Sequence, residues 1–312
     1  MAAFAFLAKG TDNASVPSAI IVDKFAPEAP GLRDVFDDRF AEPRSTRGDR
    51  FVWDWWHVPG QYTALRTPAW TYFPKPIYEA FHRRLVQWGR ETLGCHDISP
   101  PWLSCYVDGC RQELHGDLPH GPWAFVFSLT PWKTRVFRGG ETLMLHDEVL
   151  DYWDTFQSER SIEEPDLLRA IEPMFNRLTV FDPRIPHGVR EVTGTRDPRE
   201  GRLVIHGWFV QPRPFIAGPL RARDLETRID TIGELLADAP PLAGMLAIAF
   251  DVDRAGAVTR TKVLSNTTRV PAADRPELAA LVAKLRRTIG GWKFPKQRGT
   301  SRVTLPLVFE RG

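Results

Sequence analysis

The sequence has no stretch approaching the ~20 consecutive apolar residues of a membrane-spanning helix, which excludes an α-helical membrane protein. Its opening residues, MAAFAFLAKG, are only briefly apolar. They lack a basic leading segment and run into Lys9 and Asp12, so a secretory leader is not expected. Cysteine is scarce: there are three, Cys95, Cys105 and Cys110, an odd number with no C-x-x-C spacing. That argues against a disulfide framework and a zinc knuckle, and it predicts ordinary packed or surface thiols in a reducing, cytoplasmic compartment. An excess of one charge sign is also missing. With 41 Lys and Arg against 39 Asp and Glu the net charge is +2, so no whole-protein field draws the chain to nucleic acid or to a membrane surface. No internal repeat is evident, and nothing in the composition suggests collagen, a coiled coil or a disordered tail.

What is present is a chain of 312 residues with 23 glycines, 27 prolines, 11 tryptophans and 19 phenylalanines. That length allows about two domains and a sizeable core. The turn-forming residues favour many short strands over a helical bundle. AIIVD at residues 19–23 has a strand pattern. Residues 76–93 carry Ile77, Phe81, Leu85, Trp88 and Leu93 on roughly one helical face, and Gly94 stops the helix. From Trp102 to Val210 short β-rich runs alternate with Gly, Pro and Asp, the rhythm of an antiparallel sandwich or barrel. A polar interruption at 146–176 contains two short helical candidates. QPRPFIAGPLRARD, after residue 210, has linker composition. Beyond it, MLAIAFDVD, AVTRTKVLSNT, ELAALVAKLRRTIGGW and SRVTLPLVFE predict a β-β-α-β unit. The predicted division is a domain at 1–212, a linker at 213–240 and a second domain at 241–312.

The near-neutral total conceals a split. From Arg260 to Gly312 there are twelve Lys and Arg against three acids, a net of +9, which leaves −7 for the rest. This is either a solvated basic face or a docking surface for an acidic partner.

Of the eight histidines, only one arrangement has metal-ligand character. His115 and Asp117 are two apart, so on a strand they project to one face and one imidazole and one carboxylate can grip one ion. A third ligand must come from elsewhere, and His187 follows the strand pattern RLTVFD. Two His and a carboxylate leave positions open, the facial arrangement of non-haem iron oxygen chemistry. Arg202, fifteen residues on, opens RLVIHGWF, where an antiparallel barrel can bring it inside. A buried guanidinium there calls for a carboxylate ligand. Tyr106 on the preceding strand can offer its hydroxyl to the same ligand.

These residues carry a resemblance. The order C-Y-x-x-G, H-x-D, G-G-E, F-x-P-x-x-x-H-x-V and R-x-x-x-x-x-W is matched by Cys105, Tyr106, Gly109, His115, Asp117, Gly139, Gly140, Glu141, Phe181, Pro183, His187, Val189, Arg202 and Trp208. It resembles the Fe(II)- and 2-oxoglutarate-dependent oxygenases, in their prolyl-hydroxylase-like branch, over residues 15–212. The resemblance implies an α+β, mainly β fold: a double-stranded β-helix (jelly roll) core with flanking helices. It implies Fe(II) on His115, Asp117 and His187, and Arg202, helped by Tyr106, on the distal carboxylate of 2-oxoglutarate. It also implies consumption of O2, with ascorbate as a candidate reductant, and release of succinate and CO2. The presence of Asp117 favours hydroxylation over halogenation, and desaturation or cyclisation stays open. An AlkB-type dealkylase would place Arg where Trp208 stands. A cupin-type binding protein shares the barrel but not the Arg-to-Trp strand.

His206 shares the parity of Arg202, so it faces either the pocket or the packed interior. His120, in the loop after Asp117, faces either substrate or solvent. Trp208 belongs with them as a candidate pocket residue. The remaining four, His57, His82, His96 and His146, are expected at the surface or in structural roles. The segment 44–73, with Trp53, Trp55, Trp56, Arg66 and Trp70, is either a substrate wall or apolar packing. The expected reaction is hydroxylation of an amino-acid side chain, free or in a peptide. The rival reading is a non-catalytic peptide-binding adaptor.

Residues 242–312 resemble a second family, the TonB C-terminal domains, through Gly256, Val258, Val263, Leu264, Ser265, Trp292, Phe294, Pro295, Gly299, Val303 and Phe309. The anchor and long Pro-rich spacer of that family are missing here. The resemblance implies an open sheet edge that adds a strand from a peptide or protein partner.

Overall fold

The computed structural model describes residues 19–42, 52–117, 120–146, 149, 167–236 and 239–309. The opening MAAFAFLAKG, residues 44–51 of the aromatic segment and most of 146–176 lie outside the described residues. The strands are β1 Ala19–Asp23, β2 Asp54–Val58, β3 Tyr62–Pro68, β4 Cys95–Ile98, β5 Trp102–Tyr106, β6 Arg111–His115, β7 Trp123–Ser128 and β8 Thr142–Leu145. They continue with β9 Leu168–Ile171, β10 Arg177–Phe181, β11 His187–Val189, β12 Arg202–Pro212, β13 Phe215–Ala217, β14 Gly244–Val252, β15 Val258–Asn266 and β16 Ser301–Phe309. The helices are α1 Ala29–Phe40, α2 Ala69–Tyr72, α3 Lys75–Thr92, α4 Ala222–Leu236 and α5 Arg275–Gly290. None of them is long and apolar enough to cross a membrane.

Twelve strands form one sheet, in the order β1-β10-β7-β12-β5-β3-β6-β11-β8-β9, with β2 on β3 and β4 on β12. Every described pairing is antiparallel. Period-two alternation gives the central strands two different faces. Leu203, Ile205 and Phe209 of β12, Leu103 and Cys105 of β5, and Phe125 and Phe127 of β7 pack with Leu32 and Phe36 of α1 and Phe81 and Leu85 of α3. The opposite parity (Arg202, Val204, His206 and Trp208; Ser104 and Tyr106; Ala124 and Val126) faces the interior. The sheet curls on itself. Met144 of β8 and Ile171 of β9, at one end of the strand order, pack with Ala19 and Phe181 from the other end. The result is a mainly β core, consistent with the jelly roll expected.

Helix α3 forms because Tyr78, Phe81, Leu85, Val86 and Gly89 make one buried stripe. Pro76 sits in its first turn, and Gly94 follows at φ +75°. Ile77 and Trp88, read from the sequence as part of the stripe, are its half-buried margins.

Within 213–240, read as a linker, the described residues form a strand and a helix. β13 pairs with β16, and α4 buries Leu225 and Ile232 against the second core. Its apolar positions Leu225, Ile229, Ile232 and Leu236 recur at helical spacing, a signal outweighed at first sight by the Pro and Gly just before them. The carboxy-terminal sheet runs β13-β16-β14-β15, covered by α5 through Leu281, Leu285 and Ile289. It joins the first unit tightly. Met245 belongs to the first core, Thr304 Oγ1 donates to the Glu91 carbonyl at 3.0 Å, and Arg213 N donates to the Gly94 carbonyl at 2.9 Å.

Candidate metal centre

β6 and β11 are neighbours, and His115 and His187 stand directly opposite in their register. That close approach depends on Gly188, where a Cβ would come within 2.5 Å of the Gln112 carbonyl oxygen. Asp117 lies just beyond the end of β6, with its backbone N donating to the Pro183 carbonyl at 2.9 Å. Ligand atoms of His115, Asp117 and His187 all fall within 4.8 Å of one another. Nε2 of His115 is 3.5 Å from one Asp117 oxygen, and Nε2 of His187 is 3.4 Å from the other.

The tautomers follow from the partners. Nδ1 of His115 meets the Glu113 carbonyl at 2.8 Å, and Nδ1 of His187 meets the Ile185 carbonyl at 2.9 Å. A nitrogen facing a carbonyl must carry the proton, so both Nε2 lone pairs face Asp117, that of His115 also accepting from Gln112 Nε2 at 3.1 Å. Burial works against charge on His115, but bonding to Asp117 and to the Glu113 carbonyl outweighs it and raises its pKa. Burial likewise opposes ionisation of Asp117, yet the two imidazoles hold it well below the usual carboxylate range. The cluster favours positive charge at its centre, which a divalent cation supplies in place of protons.

The loop that delivers His187 is fixed from outside. Asp182, 1% exposed, accepts from the Arg184 backbone at 3.0 Å and from its guanidinium at 2.8 and 2.6 Å. Arg184 also donates to the Thr267 carbonyl of the carboxy-terminal unit, and Arg269 of that unit stands 3.8 Å from Asp182.

A cavity of about 420 Å³ opens over the cluster. Arg202 enters it from β12, only 1% exposed. Its guanidinium lies 4.7 Å from the Tyr106 ring centre and donates to Thr142 Oγ1 at 3.2 Å. Its Nε and Nη1 are buried without a hydrogen-bond partner. Burial lowers its pKa, and no ion pair compensates it among the described residues. A fixed cation with free donors, sharing a cavity with a His-Asp-His cluster, fits a small dicarboxylate that reaches from metal to guanidinium.

His206 also lines the cavity, with Nε2 2.8 Å from Ser104 Oγ. Burial, then the charges of Arg202 and Arg66, push its pKa down to about 3, so its ring is neutral. The His120 ring lies 4.4 Å from that of Trp208, and both line the cavity. His57 bonds Thr63, His82 stands 3.9 Å from Asp97, and His96 bonds the Pro214 carbonyl, all away from the cavity. The aromatic segment divides. Trp53 packs on Phe36 and Tyr72 in the core, whereas Arg66 lines the cavity beside Trp56 and Trp102. Thr142, Ser104 and Gly188 were not singled out in the sequence. Only Ser104 left a signal, sharing the inward parity of Tyr106.

No family profile matches the chain, and no curated protein is similar to it. Several solved structures are similar at low identity. A Pseudomonas putida prolyl-4-hydroxylase is 16% identical over 62% of this chain and 92% of its own, with a TM-score of 0.42. A prolyl hydroxylase from Trichoplax adhaerens, in complex with a hypoxia-inducible-factor peptide fragment, is 14% identical over 62% and 83%, at 0.41. HygX from Streptomyces hygroscopicus, with nickel and 2-oxoglutarate bound, is 14% identical over 61% and 81%, at 0.39. These likenesses are distant, and the side chains of the cavity carry the functional reading.

Proposed function

We propose that this protein is an Fe(II)- and 2-oxoglutarate-dependent dioxygenase that hydroxylates an unactivated carbon of an amino-acid-like substrate. The observation that carries the reading is the pairing, in one cavity, of the His115–Asp117–His187 cluster with a buried Arg202 that keeps two unpartnered donors. His115, Asp117 and His187 would hold the iron, a two-His, one-carboxylate donor set of the kind that suits non-haem Fe(II). Arg202 would take the distal carboxylate of 2-oxoglutarate through the donors that face no acceptor, with Thr142 fixing the fork and Tyr106 packing beneath it. Iron and 2-oxoglutarate, when bound, supply the O2-dependent oxidation, with CO2 and succinate as co-products. The chain's part is positional. The Glu113 and Ile185 carbonyls hold the imidazoles, His206 lines the cavity as a neutral ring, and Trp208 and Val204 line it with apolar surface.

The test is succinate release with Fe(II) and 2-oxoglutarate, alongside calorimetric binding of 2-oxoglutarate to the Mn(II)-loaded protein. Turnover and binding that vanish in Arg202→Ala, and turnover that vanishes in His115→Ala, support the reading; a wild-type protein with neither sinks it. The three cysteines are buried and unpaired, which suits a reducing compartment. The carboxy-terminal unit suits a docking role as well. The outer edge of β15, which carries Arg260 and Lys262, pairs with no strand among the described residues.

A further inference from the structure

A second guanidinium lines the cavity, and the proposed chemistry does not use it. Arg66 projects from β3, opposite Ser104 on β5, while Arg202 lies opposite Tyr106 on the other side of β5. The two arginines are therefore two strands and two residues apart, ~12 Å between backbones from ordinary sheet spacings. One five-carbon diacid held on Arg202 and the His-Asp-His cluster leaves Arg66 for another ligand. The Arg66 side chain is held between aromatic rings, with its guanidinium carbon over Trp56 and 4.3 Å from the centre of Trp102. Its Nε is buried without a partner, and it makes no ion pair among the described residues. Burial lowers its pKa. Asp54 stands opposite it in the β2–β3 register and raises its pKa through charge alone, with no ion pair or hydrogen bond between the two side chains. Its other neighbours include Ser104, neutral His206 and two indoles. A guanidinium held by stacking on the wall of a cavity, with an unpartnered donor, is suited to receive a carboxylate.

The geometry points to Arg66 as the anchor for a carboxylate on the substrate, and to a substrate of free-amino-acid size. The cavity of about 420 Å³, shared with the co-substrate, has room for a small acid beside Arg66. This rests on the oxygenase reading for the word substrate, but the anion site itself does not need it.

The experiment titrates the full-length, Mn(II)-loaded protein calorimetrically with the free L-amino acids and with their α-carboxamides, with and without saturating 2-oxoglutarate. The expected result is that at least one free acid binds and its amide binds at least tenfold more weakly. In Arg66→Gln the acid should lose at least tenfold in affinity, and in Arg66→Lys it should lose less. Binding of 2-oxoglutarate should change less than threefold in both variants, which also shows that the cavity is still folded. Equal binding of acid and amide, no binding by any acid, or loss of 2-oxoglutarate affinity in Arg66→Gln overturns the proposal. Failure of 2-oxoglutarate to bind the wild type overturns only the oxygenase reading, because the dependence of acid binding on Arg66 is still read without it.

Discussion

Arg202 is a buried cation with no ion pair among the described residues, and such a group costs stability until something pairs with it. Replacing it with Met, similar in length and apolar, should therefore leave the melting temperature of the ligand-free protein unchanged or raise it. The same change should lower 2-oxoglutarate affinity by a hundredfold or more, since a bidentate charged contact is lost. Differential scanning fluorimetry with and without 2-oxoglutarate checks both; a melting temperature that falls by many degrees would show that Arg202 is structural. His206 makes the opposite kind of statement. Its ordinary pKa is near 6.5 and its folded value is about 3, so between those limits the unfolded chain binds a proton that the folded chain refuses. Stability should be fully present above pH 6.5 and fall as the pH drops toward 3. His206→Gln should flatten that acid limb in a melting-temperature profile of metal-free protein, and an unchanged profile would place the charged form elsewhere.

At the scale of elements, the metal cluster is a matter of how closely β11 lies on β6. Gly188 has no room for a methyl group against the Gln112 carbonyl. Gly188→Ala should push His187 away from His115, costing ~1–3 kcal/mol of stability and at least tenfold in Mn(II) affinity, measured by calorimetry. If metal affinity holds, the two strands have more freedom than their register implies. Much of this layer was legible beforehand. The grouping of His115 with Asp117 and of His206 with Arg202 follows from period-two spacing, although Asp117 itself lies just past the end of β6, whereas His187 and Arg202 were fixed in the set through the family resemblance. What could not be read was anything set by pairing between distant strands. Thr142 reaches Arg202 from 60 residues away, and Gly188 matters only because β6 lies across from it. Arg66 was visible as part of an aromatic and basic run, but its separation from Trp53, which turns into the core, depends on where β2 and β3 pair. The linker reading failed for a local reason: Pro212, Pro214 and Gly218 mark turns correctly, yet they border a strand and an amphipathic helix.

For the whole molecule, the division near residue 212 is a boundary in composition more than in packing. The carboxy-terminal unit lends Met245 to the first core, bonds α3 through Thr304, and reaches the loop of a candidate metal ligand through Thr267 and Arg269. Asp182 is the joint. Buried at 1% exposure, it is held by Arg184 from its own loop and faced by Arg269 from the second unit. Removing one partner of a buried ion pair leaves a charge uncompensated, whereas removing a distant, half-exposed one is mild. Asp182→Asn should therefore destabilise clearly and weaken Mn(II) binding, and Arg269→Ala should do the same to a smaller degree. The full chain should melt in one cooperative transition, because Met245 completes the first core and the Asp182 joint ties the two units together. A fragment ending at Pro212 should lose metal affinity even though it carries every ligand. If that fragment instead folds with undiminished Mn(II) affinity, or the intact chain melts in two independent steps, the carboxy-terminal unit is an appendage and not part of the scaffold that sets His187.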